Sequence, residues 1–418
     1  MESFTYRENR LHAEGVAVEE LASRYGTPLY VYSQGHLRDQ YRALAAALRA
    51  VKPLICFSVK TNTNAAVIHT FAKLGAGADV VSGGELFRAL RAGVPASRIA
   101  FAGVGKTRAD IEYALKQDIL FFTVESEPEL ERISECARRL RRTARVALRV
   151  NPDVDPQTHK YISTGKKENK FGLDLSRTKK AYALAARLPG LEIVGLHMHI
   201  GSQILSSAPY AHALRKVEDL CHELKARWPS FKYIDMGGGL GISYRPTQAP
   251  LDPAHFADIV LPVLRRLKLS VVLEPGRFLV GNAGILVTQV QYIKNGPSKK
   301  FVIVDAGMND LIRPPLYQAH HEVIAERKTR GTFLADVVGP ICESGDFLAL
   351  ERRLPRVGEG DLLAVLSAGA YSFTMASNYN SRGRAAEVMV SGRKHALVRA
   401  RETWDDLVRG ERMPGSLK

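Results

Sequence analysis

A chain of 418 residues exceeds what one hydrophobic core ordinarily organises, so its length predicts two domains. With 45% hydrophobic and 24% charged residues it has the balance of a soluble globular protein, and no apolar run approaches the ~18 residues of a membrane span. The net charge of +16 is dispersed. Its densest run, Arg138-Arg139-Leu140-Arg141-Arg142, follows a helical pattern with Ile133 and Leu140 facing inward, so it reads as a solvated helix face rather than a nucleic-acid site.

Cys56, Cys136, Cys221 and Cys342 lie far apart and form no CxxC. That argues against zinc and against a disulfide framework, and for a reducing cytoplasm; no metal is expected. The first residues, Met1-Glu2-Ser3-Phe4-Thr5, lack the basic and apolar regions of a signal peptide.

In chain order, a helical pattern over 17–25 precedes a first strand at 28–32, and 34–51 reads as an amphipathic helix with Leu37, Tyr41, Leu44, Leu48 and Val51 on one face. Eight apolar, β-branched runs then alternate with helical segments: 55–60, 77–82, 98–103, 119–125, 145–151, 193–200, 233–239 and 270–277. Such alternation predicts parallel strands with crossover helices, buried on both faces. Eight repeats predict a closed (β/α)8 TIM-like barrel, with an open doubly wound sheet as the alternative. The strand ends favour the barrel, because nearly every run closes on polar or glycine residues: Lys60, Asp79 to Ser82, Gly103, Glu125, Asn151, His199, the Gly237-Gly238-Gly239 trio, and Glu274 to Arg277.

Past Arg277 the chain turns strand-rich, with runs at 284–293, 300–306, 334–341, 361–371, 387–391 and 395–399. This predicts a C-terminal all-β domain that also takes the N-terminal strand. The expected domains are therefore a barrel over 34–282 and a β-sandwich or barrel-like domain formed by 1–33 and 283–418.

Lys60 closes a buried strand, an odd place for a solubilising charge. A lysine in a partly desolvated pocket is a candidate nucleophile. Gly237 to Gly241 and Glu274-Pro275-Gly276-Arg277 follow the seventh and eighth runs, where barrels commonly hold phosphate. Neither GxGxxG nor a P-loop motif is present. A lysine amine and a phosphate cradle at neighbouring strand ends point to pyridoxal 5'-phosphate, with Glu274 as the acid beside its pyridine nitrogen.

On FSVKTN (57–62), HIGSQ (199–203), DMGGGLGISY (235–244), EPGR (274–277), DAGMNDLIRPPLY (305–317), GPICESGD (339–346) and GAYSFTMASNYN (369–380), the chain resembles the fold-type III pyridoxal-phosphate decarboxylases related to alanine racemase and ornithine decarboxylase. Within them it is similar to the branch acting on diaminopimelate. The resemblance implies decarboxylation of meso-2,6-diaminopimelate to L-lysine and CO2, the last step of lysine biosynthesis. It gives Lys60 the Schiff-base role, His199 the ring-stacking role and Glu274 the pyridinium contact. Asp79 lies near the cofactor, and Ser202, Gly238, Gly239, Gly276 and Arg277 contact phosphate, with Arg277 also reaching substrate. The neighbouring His197 reads as a core histidine. Arg313 and Tyr317 take the substrate's distal carboxylate, Glu343 the distal ammonium, Cys342 is the catalytic thiol, and Tyr371 contacts cofactor and substrate. The resemblance further implies a homodimer in which 342–344 reach the neighbouring subunit's site. A related decarboxylase of arginine, ornithine or carboxynorspermidine, a non-catalytic cofactor carrier and a nucleic-acid binder are the competing readings.

Overall fold

A computed structural model describes residues 3–154 and 171–415. It divides into two compact units: Leu37–Val280, and Met1–His36 together with Gly281–Lys418.

In the first unit, eight parallel strands close on themselves: β1 (Leu54–Ser58), β2 (Gly77–Val80), β3 (Ile99–Phe101), β4 (Phe121–Val124), β5 (Ala144–Asn151), β6 (Leu191–His197), β7 (Tyr233–Asp235) and β8 (Ser270–Leu273). Each pairs with the next, and β8 returns to β1 in the register Val272↔Leu54 and Leu273↔Ile55. The closed barrel, and not the open sheet, is therefore the fold. Cys56, Ala100, Phe121, Ala147, Val194 and Val272 pack together as one buried cluster. Burying a side chain such as Phe121 stabilises the fold by roughly 1.5–3 kcal/mol.

Caps written into the sequence start the crossover helices. Asn64 accepts from Ala66 N–H to open Ala65–Lys73, and Thr107 with Asp110 forms a capping box on Arg108–Gln117. Asp252 caps Pro253–Leu267, whose Pro253 suits a first turn where its missing N–H costs nothing. Because every strand runs the same way, every strand-to-helix turn lies at one mouth of the barrel.

The second unit is mostly sheet. Leu29–Ser33 lies between Gly284–Asn295, antiparallel, and Ala386–Ser391, parallel. The N-terminal strand thus joins the C-terminal sheet as expected. Its core unites both ends of the chain, with Leu11, Val18, Leu21, Leu29, Val31, Ile285, Val287, Val388 and Val390 in one cluster.

Three elements depart from expectation. The segment before the first helix forms a three-stranded meander, Phe4–Arg7, Arg10–Ala13 and Val16–Ala17. Its polar turns hide the short strands, and Glu8, Asn9 and Glu14 adopt positive φ there. Phe347–Pro355 is a nine-residue strand despite its Glu351-Arg352-Arg353 run, which sits at a register shift with Glu351 at φ 50°. The run at 361–371 stops as a strand at Val365, because Ser367 and Tyr371 turn to positive φ.

Candidate active site

The barrel mouth brings nine of the singled-out residues onto one unit: Lys60, Asp79, His199, Ser202, Gly238, Gly239, Glu274, Gly276 and Arg277. Lys60 sits not on β1 but on the 3-10 turn Val59–Thr61 that follows it. Its ammonium donates to Asp79 Oδ2 at 3.2 Å, and Ser58 Oγ donates to the same oxygen at 2.7 Å. The Lys60 side chain is 43% exposed, so its amine is only partly desolvated, while Asp79 is buried. Burial first, and then the nearby Glu274, push Asp79 up, against the pull of Lys60. Lys106 offers a contrast. It is fully buried and donates to Gly103 O, Thr123 O and Glu129 Oε1, so its three protons are all engaged.

Glu274 follows β8 and is buried. Its Oε2 lies 3.1 Å from His197 Nε2, and Glu274 also hydrogen-bonds the Asp235 carboxyl. Burial alone pushes Glu274 up, but the charge and hydrogen bond of His197, and then the charge of Lys60, carry it down to about 2. Asp235, at the end of β7, is driven the opposite way. Burial and the Glu274 charge hold it well above the usual carboxylate range, so the proton of this acidic pair resides on Asp235 and the charge on Glu274. His197, Asp235 and Glu274 each place an atom within 4.8 Å of the other two. His197 is buried, as a core histidine is, and in addition its ring is the partner of Glu274.

His199 accepts at Nδ1 from Gly238 N–H at 3.1 Å. Burial, then the charges of Arg149 and Lys60, push it well below its ordinary range, so it presents a neutral imidazole. Gly238 therefore spends its N–H on the imidazole. The glycine turn around it admits no side chain. A Cβ on Gly238 would lie 2.2 Å from Glu274 O, and one on Gly239, at φ +96°, 2.3 Å from Gly201 O. A Cβ on Gly276 would lie 2.3 Å from Thr61 Cγ2. Arg277 donates to Tyr244 OH at 2.5 Å and Ser202 Oγ at 3.2 Å.

Besides His197 and Asp235, sequence reasoning missed Glu85. It accepts from Val81 N–H, and burial raises it to about 7 beside Asp79 and Lys60. The available signal for His197 was its place at the end of the strand Leu191–His197, two residues before His199. Asp235 opens the quoted stretch 235–244 but was given no role, and Glu85 carried no local signal.

The remaining five predicted residues lie on the sheet unit. Arg313 is buried and opens the short helix Arg313–Tyr317, with Tyr317 at its end. Its guanidinium lies 2.8 Å from His321 Nε2, and His321 Nδ1 lies 2.8 Å from Leu366 O. The carbonyl can only accept, so Nδ1 carries the proton and Nε2 receives Arg313. His321 is thus a further residue the sequence did not single out. Cys342 is exposed, unlike the other three cysteines, and its N–H donates to Asn380 Oδ1 at 2.7 Å. Glu343 follows it, and Tyr371 holds φ 55°.

The barrel residues fit pyridoxal phosphate. A charged, buried Glu274 suits a protonated ring nitrogen, a neutral imidazole suits a ring face, and a turn that excludes Cβ atoms suits a phosphate. Lys60 stands at the open mouth where an aldehyde would arrive.

Comparison with known proteins agrees. Residues 34–281 match the family described as pyridoxal-dependent decarboxylase, pyridoxal binding domain. The chain is 51% identical over 404 residues to diaminopimelate decarboxylase of Aquifex aeolicus, covering 96% of each chain. It is 51% identical over 415 residues to that of Pseudomonas aeruginosa, covering 98% of this chain and 99% of the other. The solved diaminopimelate decarboxylase of M. jannaschii in co-complex with L-lysine superposes with a TM-score of 0.95 at 38% identity, over 100% of this chain and 99% of that one. The chain belongs to the diaminopimelate decarboxylase family of pyridoxal-dependent decarboxylases.

Proposed function

We propose that this chain decarboxylates meso-2,6-diaminopimelate to L-lysine and CO2, using pyridoxal 5'-phosphate. The observation that carries the reading is the arrangement at the barrel mouth, where buried Glu274 meets His197 at 3.1 Å, His199 is held by Gly238 N–H, and Lys60 lies 3.2 Å from Asp79. Bound pyridoxal phosphate supplies the electron sink for the bond to the departing carboxylate.

The protein's own residues do the rest. Lys60 Nζ anchors the cofactor, and Asp79 and Ser58 aim that amine. Glu274 holds a proton at the pyridine nitrogen, His197 keeps Glu274 charged, and Asp235 helps hold it in place. His199, oriented by Gly238 N–H, covers one ring face. Ser202, Gly239, Gly276 and Arg277 receive the phosphate. On the sheet unit, Arg313 and Tyr317 receive the distal carboxylate, Glu343 the distal ammonium, and Tyr371 both cofactor and substrate. The bidentate fork of arginine suits a carboxylate. Cys342 Sγ delivers the proton to the α-carbon, with Lys60 Nζ as the alternative donor.

Arginine and ornithine lack a distal carboxylate. Binding them would leave the buried Arg313 charge without its anionic ligand, at a cost on the order of a few kcal/mol. The family resemblance supports a homodimer in which residues 342–344 serve the neighbouring subunit, and sedimentation at working concentration checks that assembly. The activity itself is tested on protein stripped of cofactor. Lysine and CO2 should form from meso-diaminopimelate only after pyridoxal phosphate is added back. Turnover by stripped protein without it would contradict the proposal.

A further inference from the structure

The sheet unit contains a cleft of about 750 Å³ lined by residues from distant parts of the chain, among them Arg10, Glu19, Thr27, Glu326, Arg327 and Asp361. No step proposed for the barrel uses any of them. Glu326 is 3% exposed. Its backbone is held on both sides, with its N–H donated to Leu362 O and its carbonyl accepting from Leu11 N–H. Its Oε2 pairs with Arg10 at 2.9 Å, and the same guanidinium nitrogen meets Glu19 at 2.8 Å. Its Oε1 is buried with no hydrogen-bond partner. A buried carboxylate oxygen without a donor costs free energy, and a ligand N–H would recover it.

The charges in the cleft narrow the ligand. Glu19, Glu326 and Asp361 outnumber Arg10 and Arg327 by one, and Arg10 is already engaged by two of the acids. A cationic group is therefore favoured at the Glu326 end. Exposed Arg327 on the rim remains to receive a carboxylate. The cleft also reaches Gly26, the C-cap of helix Val18–Tyr25, whose carbonyl end favours positive charge. A volume of this size suits a small molecule.

We propose that this cleft is a second binding site for a basic amino acid, with its side-chain ammonium on Glu326 and its carboxylate on Arg327. The cleft observations are independent of the barrel chemistry, and only the expected count of two lysine places rests on the proposed function.

Calorimetric titration of the holoenzyme with L-lysine, 6-aminohexanoate and cadaverine tests it. Wild-type protein is expected to bind L-lysine at two places per chain. Glu326→Gln, which keeps the shape and the Arg10 contact, should lose one of them or weaken it by about tenfold or more. Arg327→Ala, an exposed substitution without folding risk, should weaken lysine and 6-aminohexanoate at that place and leave cadaverine unchanged. Decarboxylation at low lysine should be unaffected in both variants. Identical stoichiometry and affinity in wild type, Glu326→Gln and Arg327→Ala would overturn the proposal, as would absence of any second binding event with all three probes. Loss of decarboxylation in the wild type would instead count against the barrel reading, so the two failures are distinguishable.

Discussion

Replacing His197 with alanine isolates what holds Glu274 ionised. The two side chains meet at 3.1 Å, both buried, and His197 supplies the largest of the interactions that draw Glu274 down to about 2. Without it, burial dominates and Glu274 moves up. A hydrogen bond to a charged group is worth roughly 1.5–3 kcal/mol, so cofactor affinity should fall about 10- to 150-fold. The acid limb of cofactor binding should also move to higher pH, because a protonated Glu274 cannot hold a pyridinium. The sign for stability agrees. A depressed carboxylate contributes stability above its ordinary range that is lost as pH falls toward about 2, and His197→Ala forfeits that contribution. The assay is spectrophotometric titration of stripped protein with pyridoxal phosphate across pH, alongside thermal denaturation. His197→Gln, which retains an N–H donor, should recover part of the affinity. An alanine variant with wild-type affinity and an unmoved acid limb would reduce His197 to packing and refute the reasoning.

Lys60→Ala should abolish the visible absorption of bound cofactor while leaving the far-UV circular dichroism unchanged; a normal spectrum removes Lys60 from the mechanism. Arg313→Ala should lower kcat/KM for diaminopimelate by at least about a hundredfold, as expected for an uncompensated buried ionic contact, with cofactor affinity retained; unchanged kinetics rejects the carboxylate clamp. His321→Ala should raise KM more than it lowers kcat, since it acts only by orienting Arg313, and an equal fall in kcat with KM constant contradicts that role. Burial raises Asp310 to about 7, so the stability it permits is fully present below the ordinary carboxylate range and lost as pH rises toward neutrality. Asp310→Asn should therefore gain thermal stability over wild type progressively from pH 5 to pH 8, by about 1–3 kcal/mol, and a constant difference across that range rejects the assignment.

The barrel was legible in the chain because parallel strands buried on both faces must be apolar along their length, as 55–60 and 119–125 are, and because crossover helices impose a regular spacing. Lys60, Glu274 and the glycine trio were visible for a related reason. Their chemistry is wrong for a strand's interior, so it marks the mouth. The strand 347–355 was hidden, since its charged run makes sense only at a register shift against Thr332–Val338. The meander at 4–17 was hidden because its strands are too short for a period to emerge.

What local pattern could not decide was partnership. His197 and Glu274 are 77 positions apart, and only closure of the barrel turns a seemingly ordinary core histidine into the group that keeps Glu274 charged. The same holds for Asp235, whose proton is set by burial beside that carboxylate, and for Gly238, whose N–H goes to His199. Arg10 and Glu326, 316 positions apart, meet only when the N-terminal strands fold onto the C-terminal sheet. Sequence by itself determined which residues carry chemistry, because side-chain identity is local. Tertiary structure decided the charge state and the partner of each, because desolvation and Coulomb interaction depend on what the fold brings near.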